Sequence, residues 1–319
     1  MFSTTSESSI SELLRWLDET GVIGLKQLSL KSSSGAMGMG CFARRDIACG
    51  ETLFIIPQGC ILGFKQVFQS SISTFIRTTV AEMKISQHDE ELVSEELLYW
   101  LYMIHQRQAD SSSTSEFNIY LSSLGANYTS SVGISIWLHI IFSLADLISP
   151  SLLGWTDNFE EKILESLRGT NLVFSLQHSL DRLHRQANLM DAIRAAHPSE
   201  SATYIPQHLF NFESLLWARG HYLARRYPAK FALPIIGEDG HTVEGSSAAG
   251  PSSLRREAGL ESRGCLVPLL DILNHNHDHE WLTFKVESGC LHVICNHPLS
   301  EVGIAYIHTY ICLSCLLIL

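Results

Sequence analysis

The 319-residue sequence has no surplus of basic charge: 22 Lys and Arg stand against 33 Asp and Glu, a formal net charge of −11. A nucleic-acid binder usually shows a basic face or stripe, so the balance argues against that class. It suits a partner or substrate segment that itself carries Lys or Arg. Nor is there a small disulfide framework: eight cysteines are spread from position 41 to 315, in a chain too long to need stapling. The opening MFSTTSESSISELLRWLDETG lacks a basic n-region and an apolar h-region, so no secretory signal is expected. The chain reads as intracellular, cytoplasmic or nuclear, with reduced thiols. No internal repeat of ~20–50 residues is present, and no G-x-G-x-x-G opens a helix, which removes the dinucleotide fingerprint. With 45% hydrophobic residues the chain is neither largely disordered nor fibrous. Its length is that of about two domains at ~100–200 residues each.

What is present reads as strands, then helices, then strands. Residues 8–20 predict an amphipathic helix with Ile10, Leu13, Leu14 and Leu17 on one face, Ser9 as cap with Glu12 three residues on, and Gly21 as stop. Two strands follow, Gly40–Ala43 and Glu51–Ile56, the second apolar on both faces and ended by Pro57. The connection between them ends in a turn glycine, Gly50. Helices are predicted over 90–107 (Leu97, Leu98, Leu101, Ile104), 159–196 and 208–226, with a polar loop at 109–116. Residues 237–263, rich in Gly, Ser and charge, read as a flexible insertion. Strands return at Leu266–Leu269, Leu282–Val286 and Leu291–Cys295. This order implies an α+β fold in which a helical insert splits one β-rich domain. The apolar stretches Val132–Trp155 and Val302–Leu319 approach membrane-spanning length. His139, Asp146 and Pro150 interrupt the first and His308 the second, so insertion is not expected.

Four features carry chemistry. Gly38-Met-Gly40 leaves backbone bare for close approach by a ligand, although such a triplet alone is more often a turn. Asp271-Ile-Leu-Asn-His275 ends an apolar run and delivers Asn and His together, either as a ligand edge or as a capped turn. His275, His277 and His279, with Glu280, His292 and His297, could line a metal in a β-barrel enzyme, or form a polar loop. The spacing to Glu280 fits a metal site poorly, and Cys312-Leu-Ser-Cys315 has no second pair. Tyr306, in Glu301-Val-Gly-Ile-Ala-Tyr306, offers a structural or a catalytic hydroxyl.

Together these pieces resemble a known family. The stretch from Gly38 through Cys41, Phe42, Ala43 and Asp46-Ile47 to Gly50-Glu51, followed by Ile56-Pro57, is similar to the opening of a SET domain. The helix segment 217–225 (WARGHYLAR) and the run Leu266-Val-Pro-Leu-Leu-Asp-Ile-Leu-Asn-His275 resemble motifs of the Rubisco-methyltransferase-like branch, which methylates non-histone proteins. The resemblance covers roughly residues 10–306. It implies a β-rich SET core of short strands split by a large helical insert, divided as 1–63, 64–235, a linker at 236–263, 264–306 and a tail at 307–319. It also implies S-adenosylmethionine as cofactor, with the backbone of Met37, Gly38, Met39 and Gly40 at its amino-acid end. Asn274 and His275 would stand at its adenine, supported by Asp271, and Arg225 at its carboxylate. Tyr306 falls at the family's active-site tyrosine. No metal is implied. The activity implied is protein-lysine N-methylation, with a histidine acceptor also open. A SET-fold binding module without catalysis and a metal-dependent barrel enzyme are the alternatives.

The sequence departs from the family in two places. After Tyr306 an apolar tail stands where the family has a pocket-closing aromatic and a C-terminal helical domain, so the chain reads as C-terminally truncated. Residues near 131–151 read as inserted between Tyr128 and Trp155. Both departures begin Val-Gly-Ile, at 132 and 302, as read-through of a splice donor would encode. Both segments therefore read, as a hypothesis, as retained-intron sequence, and only if it holds does Tyr306 match the family tyrosine by chance.

Overall fold

The structure is a computed structural model that describes residues 7–32, 39–108, 117–124, 168–169, 171–232, 264–270, 273–276, 281–300 and 306–308. The described chain divides into two compact units. One comprises 1–64, 122–124 and 225–311 and holds every strand; the other comprises 65–121, 125–224 and 312–319 and is helical where described. The expected α+β class is what is found: short strands from both ends of the chain, with helices between them in sequence.

The β unit opens with α1 (Glu7–Glu19). The helix starts before Ser9, so Ser9 lies within its first turn and is not the cap expected for it. The stop at Gly21 is as expected, and its mechanism is visible. Gly21 takes a positive φ of 90°, its amide bonds the Asp18 carbonyl at 3.1 Å and the Val22 amide bonds the Leu17 carbonyl at 3.0 Å. This double closure satisfies the orphaned carbonyls of the last turn and packs buried Val22 beside buried Leu17.

Strands β1 (Leu28–Ser32) and β2 (Met39–Ala43) form an antiparallel pair, with Gly40 opposite Lys31. β3 (Thr52–Pro57) pairs with β8 (Cys290–Cys295), which pairs with β7 (Leu282–Glu287), in a three-stranded antiparallel sheet. Ile55 of β3 has backbone partners on both sides, His292 of β8 and Ile23, yet it is only half-buried, so the expectation of burial on both faces fails at that residue. The β7–β8 hairpin turns through Ser288 (φ 51°) and Gly289 (φ 73°), both left-handed, as a two-residue turn matched to strand twist requires. β4 (Arg226–Pro228) pairs with β5 (Gly264–Leu266). β5 ends at Leu266; the expected strand over Leu266–Leu269 gives way to a turn at Val267–Leu270, because Pro268 cannot extend a ladder. Tyr227, Phe231 and Phe284 pack together, with ring centroids 5.0–6.4 Å apart.

The helical unit holds most of α2 (Phe64–Gln69), then α3 (Ser71–Met83), α4 (Gln87–Glu90), α5 (Glu95–Gln108), part of α6 (Asn118–Ser123), α7 (Asn171–Ala196), α8 (Pro198–Tyr204) and most of α9 (Phe212–Arg225). Ser70 caps α3 through its hydroxyl, and Asn211 caps α9, accepting from the Ser214 amide at 2.9 Å. The helix expected over 90–107 begins only at Glu95, after Ser94, whose hydroxyl accepts from the Leu97 amide at 3.2 Å. The loops expected at 109–116 and 237–263 and the apolar stretch 132–155 lie outside the described residues. Among those described, no helix is long and apolar enough to cross a membrane.

Candidate functional site

Of the predicted site residues, Met39, Gly40, Asn274, His275 and Tyr306 lie on the β unit's short strands. β6 (Asn274–Asn276) runs parallel to β9 (Tyr306–His308), with Asn274 opposite Tyr306, His275 opposite Ile307 and Asn276 opposite His308. Two residues that stand 32 positions apart in sequence are thereby neighbours in one ladder. A parallel pair requires a long connection, and here the β7–β8 hairpin lies within it.

Of the described residues leading into β6, Gly264 to Leu270 and Leu273 are buried. Arg225 ends α9, half-buried, and the chain passes directly into β4. β4 is hydrogen-bonded to β5, whose Leu266 also exchanges both amide bonds with Leu62 at 3.0 Å. The corner after β5 is closed by the Leu270 amide on Val267 and the Leu273 amide on Leu270, each at 3.2 Å. Leu269 in that corner has a φ of 83°, a conformation a leucine adopts only under compulsion. Fully buried Leu266, Val267 and Leu270 around it supply that compulsion. A strained residue five positions before Asn274 is a mark of a constrained site, and reading the sequence missed it. It also missed β1, the partner of the glycine strand, although Leu28-Ser-Leu-Lys-Ser32 alternates as a half-buried strand does.

Met39 and Gly40 lie in β2, in the same unit as Arg225, Asn274, His275 and Tyr306. Among the described residues, β1 and β2 pair only with each other, so no ladder joins Gly40 to Asn274. Met37, Gly38 and Asp271 lie outside the described residues, as do His277, His279 and Glu280 of the histidine cluster. Among the described residues no group of three His, Cys, Asp or Glu side chains could hold a metal. Burial pushes the thiols of Cys41, next to Gly40, and Cys265, in β5, up to about 12. Both stay protonated at neutral pH and neither is a nucleophile.

No protein-family model and no curated protein matches the chain. Solved structures do. The SET domain of LSMT bound to methyllysine and AdoHcy is 16% identical, with a TM-score of 0.56, and the match covers 94% of this chain and 53% of that one. Rubisco LSMT bound to AdoMet is 15% identical, with a TM-score of 0.55, 94% of this chain covered and 52% of that one. The LSMT SET domain bound to lysine and AdoHcy is 16% identical with a TM-score of 0.52, at 94% and 53%. The chain therefore has the SET fold, and it spans about half the length of the structures it matches.

Proposed function

We propose that the chain is an S-adenosylmethionine-dependent protein-lysine N-methyltransferase acting on a non-histone protein. The observation that carries this reading is the parallel pairing of Asn274 with Tyr306 within a SET-fold unit that also contains Gly40 and Arg225. The donor chemistry of these residues suits the cofactor. Gly40 bares its backbone, Arg225 offers a guanidinium to a carboxylate, and Asn274 offers a donor and an acceptor to a purine edge. That structures of this fold have been solved bound to AdoMet, AdoHcy, lysine and methyllysine adds support.

Bound at these residues, S-adenosylmethionine would supply an electrophilic methyl group on sulfur. The protein's task is to bring a neutral amine in line with it. A lysine amine titrates at ~10.4 in water, and an apolar channel lowers that value by disfavouring the charged form. Most of the acceleration then comes from alignment, and the Tyr306 hydroxyl would orient the acceptor nitrogen.

Titrating the full chain with S-adenosylmethionine in a calorimeter should give saturable heat. Incubation with labelled cofactor and cell extract should then leave label in methyllysine after hydrolysis; label in methylhistidine would transfer the reading to that acceptor. Tyr306→Phe should lower kcat by about 10²–10³-fold, the range for losing one positioned hydrogen-bonding group, with cofactor affinity unchanged. No heat at millimolar cofactor overturns the proposal in favour of a binding module that keeps the fold without catalysis.

A further inference from the structure

We propose that Cys49 and Cys295 are a peroxide-responsive thiol pair that closes to an intramolecular disulfide. The pair is built by the segment between β2 and β3 lying against the end of β8. Ile47 and Leu299 exchange both backbone hydrogen bonds, at 2.8 and 2.9 Å. Further along, the Gly50 amide bonds the Cys295 carbonyl at 2.7 Å, and the Cys295 amide bonds the Glu51 carbonyl at 2.9 Å. Two residues, Gly50 and Glu51, thus oppose one, Cys295, in a β-bulge whose first residue is a glycine at φ 84°. Cys49 sits between the two laced positions. Its thiol donates to the Asn296 carbonyl at 2.9 Å, while the Cys295 thiol donates to the His297 carbonyl at 2.8 Å. Both sulfurs therefore lie along the same three-residue stretch of backbone.

Their exposures differ as the chemistry requires. Cys49 is exposed and Cys295 is buried. Burial first, and then the neighbouring Cys49, push the Cys295 thiol up, so the two groups feel each other electrostatically. Hydrogen peroxide reaches Cys49 first. The Cys49 thiolate attacks the peroxide, an S–O bond forms as the O–O bond breaks, and one water leaves. Cys49 is now a sulfenic acid, oxidised by two electrons, and the peroxide is reduced. The Cys295 thiolate then attacks that sulfur; the S–S bond forms, the S–O bond breaks, and a second water leaves with the Cys295 proton. The bridge ties the β2–β3 connection to the end of β8, at the start of the segment that leads to β9. It does not depend on the methyl-transfer reading.

The test is oxidation of the reduced full chain with hydrogen peroxide, followed by alkylation, non-reducing digestion and mass spectrometry. A peptide linking Cys49 to Cys295 is expected, lost on dithiothreitol treatment, absent from Cys49→Ser and still present in Cys290→Ser. Because Cys49 is exposed, that substitution leaves the fold intact, whereas Cys295→Ser alters a buried site. Cross-linking should accelerate as pH rises, since Cys295 must ionise to resolve the sulfenic acid. Cys49 found bridged to another cysteine, or carried to sulfinic acid with no bridge formed, would overturn the assignment.

Discussion

Gly24 shows what a single residue decides. It opens the turn before β1 at a φ of 102°, and a Cβ built there would lie 1.9 Å from the Leu53 carbonyl oxygen. Neither the dihedral nor the space admits a side chain. Gly24→Ala should cost ~1–3 kcal/mol from the left-handed backbone alone, and more from the collision, seen as a lowered denaturant midpoint. At Gly50 the positive φ is the same in kind, but nothing lies within 4 Å of an added Cβ, so Gly50→Ala should be the milder change. Gly50 was legible because it follows an obvious strand connection; Gly24 was not, since its constraint comes from Leu53, far along the chain. The buried thiols give a second expectation. Cys41 and Cys265, at about 12 in the folded state, ionise near ~8.5 when unfolded. Their folded values are raised, so the folded state holds protons the unfolded chain gives up. Stability is intact below the unfolded value and is lost as pH climbs from there towards about 12. Denaturation midpoints measured from pH 8 to 11 should fall, and the double Cys→Ala variant should fall less.

Among the elements, α5 was plain in the sequence and yet more deeply set than its pattern implied. Leu97, Leu98, Leu101 and Ile104 are buried as their spacing predicts, but so are Tyr99, Trp100, Tyr102 and Met103 between them. A helix buried on all sides is a core helix, and its aromatic residues hid this because their polar tips read as an outward face. Leu101→Ala should cost ~2–5 kcal/mol, in the range for a cavity in a core that cannot collapse around it, with the thermal midpoint as the measure. β4, β5, β6 and β9 are three residues each. Alternation needs about four to eight residues to register, so none of the four could be bounded by pattern. They exist because distant segments meet them: Arg226 with Leu266, Asn274 with Tyr306. The candidate site was legible through Asn274, His275 and the glycine strand, where motif and local chemistry coincide. The ladder beneath them was not, being a property of pairing across the chain.

For the whole molecule, the decisive fact is that the β unit is assembled from chain ends. β3 at 52–57 pairs with β8 at 290–295, and β6 finds its partner only in Tyr306–His308, within a segment that departs from family pattern. This separates two roles of the C-terminal residues. Among the described ladders, the β3–β8–β7 sheet, the β1–β2 pair and the β4–β5 pair use no strand after Ser300, so a chain ending there keeps most of its described ladder bonds. Of the described ladders it loses the three pairs of β6 with β9, each backbone hydrogen bond being worth ~0.5–1.5 kcal/mol net, together with the contacts of β9 with β7. The shortened chain should therefore still unfold cooperatively, at a modestly lower midpoint. Cofactor binding should respond quite differently, because Asn274 would stand on a strand with no partner, and a site held by an unpaired three-residue strand has lost its preorganisation. Calorimetric titration of the 1–300 chain should show no saturable heat where the full chain does. Equal binding by both would mean that the parallel pairing contributes nothing to the cofactor site, and Asn274 would be placed there by the rest of the β unit alone.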